Sequence, residues 1–158
     1  MKRTFATLTL LALALCQIAS ASPTAAPKGD AITKAKAFFK RYVALEHAFD
    51  PAMVNLYSDS VVIKNKRYMP DGKIVPMTVP ASRFKKALKD YMPKARQVGD
   101  VSTYTNDTYT MEGNRVRINV TRYSSVEKVS SPVSILVGPD PSGNWLIFEE
   151  VSESHLKR

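Results

Sequence analysis

The chain is poor in the residues that make chemistry easy to read. Among 158 residues it has one cysteine, two histidines and one tryptophan. A single cysteine, Cys16, excludes an intrachain disulfide and any paired-thiolate metal site. The histidines, His47 and His155, lie far apart in sequence, and neither has a second ligand at metal-binding spacing. No metal and no cofactor is therefore expected. Long hydrophobic runs are also missing. The apolar stretch over residues 8–15 is followed by Gln17 and Ser20, well short of the roughly 20 residues a membrane-spanning helix needs.

What is present at the N-terminus reads as an export signal. Lys2 and Arg3 precede that apolar stretch, and Ala19, Ser20 and Ala21 supply the small residues of a cleavage site. Cleavage after Ala21 would leave a secreted or periplasmic chain of roughly 140 residues, enough for one ordinary core held without disulfides. Leu15 stands where a lipidated cysteine would have a small residue before it, so Cys16 reads as part of the removed segment. Residues 22–29, with Pro23, Pro27 and Gly29, read as a flexible leader to a domain over residues 30–155.

The formal net charge is +9. Its carriers fall into separate groups: Lys34, Lys36, Lys40 and Arg41; then Lys64, Lys66 and Arg67; then Arg83, Lys85, Lys86 and Lys89. Without a continuous run or an aromatic-basic motif these read as solvated faces, which argues against nucleic acid. Peripheral contact with an anionic surface, such as membrane phosphates or cell-wall polymers, stays compatible with them.

Asp30 can cap a helix over residues 31–49, in which Ile32, Ala35, Phe38, Tyr42, Leu45 and Phe49 form one apolar stripe and His47 lies opposite. Asp50 and Pro51 open a short second helix through residue 57. A strand over 60–67, a turn at Asp71-Gly72 and a return strand over 73–79, weakened by Pro76, follow. A third helix starts at Pro80, places Phe84, Ala87, Leu88 and Tyr91 on one face, and is stopped by Pro93. Strands over 98–111, 114–128, 132–137 and 144–152 complete an antiparallel meander. In the second of these, Val116, Ile118 and Val120 face a core, and Arg117, Asn119, Thr121 and Tyr123 face away. Asn106 and Asn119 open glycosylation-acceptor triplets, both within strands.

This order, with Leu56-Tyr57-Ser58-Asp59-Ser60 at the helix-to-strand junction and Gly143-Asn144-Trp145-Leu146-Ile147 opening the last strand, resembles the nuclear transport factor 2-like superfamily, which includes ketosteroid isomerases and polyketide cyclases. The resemblance implies an α+β fold: a cone-shaped, curved antiparallel sheet packed against three N-terminal helices. It also implies an apolar pocket open at one end and, commonly, a homodimer through the open sheet face. In the isomerases a tyrosine and a protonated aspartate hold an oxyanion while a second aspartate moves the proton. On this chain the tyrosine falls near Tyr42, the base near Asn65 and the late-strand acid near Ser134. An amide takes up no proton at neutral pH and a serine polarises weakly. The resemblance thus carries the fold without the isomerase set.

Two carboxylates remain as catalytic candidates beside Tyr42. Glu149 and Glu150 are adjacent, so strand alternation turns one inward: Glu150 if Leu146 and Phe148 face the core, Glu149 if Trp145 and Ile147 do. An inward one with a raised pKa could serve as acid or base; a strand-end charge paired with a lysine or arginine is the plainer alternative. Asp59 reads as a cap or turn former. The expected pocket lining is Tyr42, Tyr57, Asn65, Tyr91, Ser134 and Phe148. The leading functional expectation is an exported, non-catalytic domain that binds a small apolar or amphipathic molecule or a protein partner. Its rivals are an isomerase- or cyclase-like enzyme working in the cone, and a basic module docking on an anionic envelope component.

Overall fold

The computed structural model describes residues 28–155. The expected signal, and most of the expected leader, lie outside them. Helix α1 spans Lys28–His47, so Gly29 belongs to the helix and not to the leader. Asp30 stands inside the first turn, paired with Lys34 at 2.8 Å, and does not cap it. An acidic side chain there still complements the helix dipole. The buried face is carried by Ala31, Ala35, Phe38, Phe39 and Tyr42, while Ile32, Leu45 and Phe49 are only half-buried.

Asp50 accepts a hydrogen bond from the Ala52 N–H at 2.8 Å and so caps a 3₁₀ turn, Pro51–Leu56, with Pro51 in its first turn. Strand β1, Tyr57–Tyr68, begins directly after it. Asp59 is therefore a strand residue whose exposed carboxylate pairs with Lys85, not a cap. The turn at Gly72, with φ +84°, leads to β2, Ile74–Val79. Helix α2, Ala81–Val98, runs through Pro93. Burial of Met92 and Ala95 on either side of the proline outweighs its local penalty, and Gly99 in the left-handed region closes the helix. Ala87 is exposed, so the buried face of α2 lies further along than its early residues suggest.

The last four strands are β3 (Ser102–Glu112), β4 (Arg115–Ser124), β5 (Ser130–Pro139) and β6 (Trp145–His155). The final strand reaches His155, whose ring stacks on Tyr68 at 4.5 Å. Strand order is β2-β1-β6-β5-β4-β3. β1 and β6 are parallel, which corrects the all-antiparallel expectation; the sheet is mixed and curved. A parallel pair needs a long crossover, and here α2 and four strands lie between the partners. α1 packs over β3 and β4, and α2 packs over β1 and the 3₁₀ turn. The core between helices and sheet is centred on Val116, Ile118, Ile135, Val137 and Ile147, all fully buried.

One irregularity positions the site. Ile147 pairs with Val137 and Glu149 with Leu136, so Phe148 is an extra residue in β6. That bulge breaks the alternation, and Ile147 and Glu150 both turn inward.

Candidate functional site

Glu150 stands in the middle of the inner sheet face, paired laterally with Ile63 of β1 and Ile135 of β5. It is 9 % exposed, and both flanking isoleucines are buried. Tyr57, at the first position of β1, donates its hydroxyl to Glu150 Oε2 at 2.7 Å, and its ring packs edge-on against Phe84 of α2. Burial raises the Glu150 pKa above the usual carboxylate range, while the Tyr57 hydrogen bond and the Arg122 charge pull the other way.

A second acid–tyrosine pair faces the first across the helix side. Tyr104 donates to Glu46 Oε2 at 2.8 Å, and burial raises Glu46 as well. Tyr42 lies between the two pairs. Its ring packs against Tyr104, and its buried hydroxyl interacts with those of Tyr57 and Tyr104. Burial holds Tyr42, Tyr57 and Tyr104 protonated far above the ordinary phenol range. They can serve as hydrogen-bond donors, and none can act as a phenolate base.

Tyr42, Glu46, Tyr57 and Glu150 line a cavity of about 210 Å³ between α1, the 3₁₀ turn, α2 and the sheet, with Tyr104 behind Glu46. Its volume equals about seven waters at liquid density and is below that of drug-sized pockets. Met53, Leu88 and Met92 form apolar wall, and Tyr91, which donates to Asp100, stands at the rim. Arg122 enters from β4. It occupies the inward parity set by Val116, Ile118 and Val120, in a strand that otherwise buries apolar groups there. Its Nε is buried and has no hydrogen-bond partner among the described residues. The nearby Tyr104, Tyr42, Glu127 and Glu46 offset the burial cost of its charge. The cavity is thus lined by four acids, Glu46, Asp100, Glu127 and Glu150, by the buried tyrosines Tyr42 and Tyr57, and by a guanidinium whose Nε has no partner among the described residues.

The structure sorts the sequence candidates. Tyr42, Tyr57, Tyr91 and Glu150 meet in the cavity. Glu149 does not: it lies on the outer face, bound by Lys64 at 3.0 Å and Arg117 at 2.8 Å, which keep its pKa below the usual range. Phe148, turned out by the bulge, lies under the Arg115 guanidinium at 3.5 Å. Ser134 is also outward, donating to Asn119 at 2.7 Å. Asn65 is outside the cavity lining, tied to Ser152 and Ser154 at 3.2 and 2.8 Å. Neither the expected base position nor the expected late-strand acid position therefore reaches the cavity. Glu46 and Arg122 escaped the sequence reading. Arg122 could have been found by extending the Val116, Ile118, Val120 alternation two residues further; Glu46, four residues after Tyr42, shares its helix face. His47 is exposed, as expected, with Nε2 within 2.8 Å of the Ser102 carbonyl. Among the described residues no group of three or more His, Cys, Asp or Glu side chains could hold a metal ion.

No protein-family model matches the chain, and no curated protein matches it. Solved structures do. A nuclear transport factor 2-like protein of unknown function from Shewanella oneidensis is 14% identical, with a TM-score of 0.57 over 80% of this chain and 98% of that one. A nuclear transport factor 2-like protein with a cystatin-like fold from Novosphingobium aromaticivorans is 15% identical, with a TM-score of 0.52 over 78% of this chain and 81% of that one. A Catenulispora acidiphila protein in complex with S-DNPA is 12% identical, with a TM-score of 0.52 over 80% of this chain and 94% of that one. At these identities the likeness is one of fold: the chain has the nuclear transport factor 2-like, cystatin-like cone fold.

Proposed function

We propose that this domain binds one small amphipathic molecule inside the cone, with the ligand's hydrogen-bond acceptor on Arg122 and its body against the tyrosines and Met53. The observation that carries this reading is the buried Arg122 Nε, without a partner among the described residues, in a cavity roomy enough for a ligand. A buried charged donor left unsatisfied is costly, so such a group normally marks a place where a ligand or ordered water completes the structure. The cavity's polar inventory shifts the expectation from an apolar ligand toward an amphipathic one.

A thermal-shift panel of small phenols, ketones and carboxylic acids tests the reading. A ligand present at a hundred times its Kd stabilises by about 2.7 kcal/mol, which is readily seen. The same compounds should lose their effect on Leu88→Phe, which narrows the cavity from its apolar wall. Equal shifts on wild type and Leu88→Phe would sink the proposal.

One observation favours a second reading, proton-transfer catalysis: an inward carboxylate with a raised pKa, held by a tyrosine. In that reading Glu150 moves the proton and Tyr42 steadies the developing oxygen charge. Absence of solvent-deuterium incorporation beside the carbonyl of a cavity-bound ketone would remove it. Export and a homodimer through the outer sheet face belong to the same overall proposal. A monomer in sedimentation at high concentration would remove the dimer.

A further inference from the structure

A second concavity lies outside the cone, where α1, the 3₁₀ turn and the turn between β5 and β6 meet. Its volume is about 650 Å³, three times that of the inner cavity and within the range of small-molecule sites. No residue lines both. The floor is apolar: Phe38 and Leu56 are 6 % and 2 % exposed, and Trp145 and Leu146 form a half-buried wall. Two cations stand on the α1 side, Lys34 and Arg41, seven residues apart and thus on one face about 10 Å from each other along the helix.

The charges there are unequal in availability. Lys34 is held by Asp30 at 2.8 Å. Asp140, the carboxylate in the groove, is turned to its own loop, accepting from the Ser142 and Asn144 N–H groups at 2.8 Å each and from the Asn144 side chain. Arg41 has no ion-pair partner among the described residues. An uncommitted guanidinium beside an apolar trough fits a molecule with one carboxylate and an apolar body. The carboxylate takes the planar fork of Arg41, and the body lies on Phe38, Leu56 and Trp145. We infer that this groove is a binding site for a soluble amphipathic monocarboxylate, independent of whatever fills the cone.

Trp145 is the only tryptophan in the chain, so its emission reports on this groove alone. The test is titration of the protein with decanoate, below its micelle concentration, against decanol and decyltrimethylammonium. Decanoate should give a saturable change in Trp145 emission, and Arg41→Gln should weaken it roughly tenfold, the size of one charge-assisted contact. Decanol binding should not change in that variant. Tyr57→Phe, an inner-cavity change, should leave the decanoate titration where it was. The inference is overturned if the cationic amphiphile binds as well as decanoate, if Arg41→Gln has no effect, or if Tyr57→Phe is the variant that abolishes binding, which would place decanoate in the cone. An emission change that grows with protein concentration alone would assign the groove to a second copy, and one obtained only with anionic vesicles would assign it to a membrane; either overturns the inference.

Discussion

Tyr57→Phe removes one oxygen and keeps the ring that packs on Phe84. The wild-type bond is 2.7 Å long, both residues are buried, and the acceptor is a carboxylate. A hydrogen bond to a charged group is worth about 1.5–3 kcal/mol, against about 1 kcal/mol for a neutral pair. The cost should therefore depend on the charge of Glu150. The Tyr57 bond lowers the Glu150 pKa, so it favours the ionised form, and its loss is felt most where that form prevails. We expect a destabilisation of about 2 kcal/mol on the alkaline side, or roughly 6 °C in melting temperature for a chain of this size. Below the raised Glu150 pKa, where the carboxyl is neutral, the cost should shrink to about 1 kcal/mol. Urea unfolding of wild type and variant at about pH 4.5 and about pH 9 measures both. A pH-independent cost, or one under about 0.5 kcal/mol throughout, would mean that Tyr57 does not hold a charged Glu150.

Other expectations follow from neighbouring features. Burial raises both Glu150 and Glu46, so the folded chain binds protons more tightly than the unfolded one, and stability falls as pH rises from the ordinary carboxylate value to the raised one. Glu150→Gln removes one contribution and should make that decline shallower in pH-dependent melts; an unchanged slope would contradict the assigned burial. The lowered carboxylates, such as Glu149, act in the opposite sense at more acid pH. Gly138→Ala would place a Cβ 2.6 Å from Arg115 Cγ, so it should push Arg115 off Phe148 and destabilise by about 1–3 kcal/mol, checked by denaturant unfolding. Ile118→Ala empties a fully buried site and should cost about 2–5 kcal/mol in the same assay. Asp50→Ala removes the cap on Ala52 and should cost about 1 kcal/mol.

The fold was legible where periodicity is strong. Val116, Ile118 and Val120 marked the core face of β4, and Asp50-Pro51 marked the start of a helical turn; both stand in the structure. The inner site was harder to read, because a strand's facing is inferred from strict alternation and β6 breaks it. With Ile147 and Glu150 both inward, neither simple pattern for the last strand was correct. Phe148 looked like lining because it is aromatic, yet the bulge sends it out to Arg115. Pro93 misled in the other direction, since tertiary burial of Met92 and Ala95 carries α2 past a residue that local propensity treats as a stop. The parallel β1–β6 pairing joins strands separated by α2 and the meander, a contact that no local pattern encodes.

A small molecule held in the cone around Arg122, Tyr57 and Glu150 would travel with the folded chain, so native mass spectrometry of the chain purified from its own host detects it as added mass. The prediction is an added mass of one small molecule on wild type that is absent from Leu88→Phe and returns when the extracted compound is added back to wild type alone. An adduct carried equally by Leu88→Phe, or a wild-type chain that arrives without one and takes up none of the host's extracted small molecules, would contradict it.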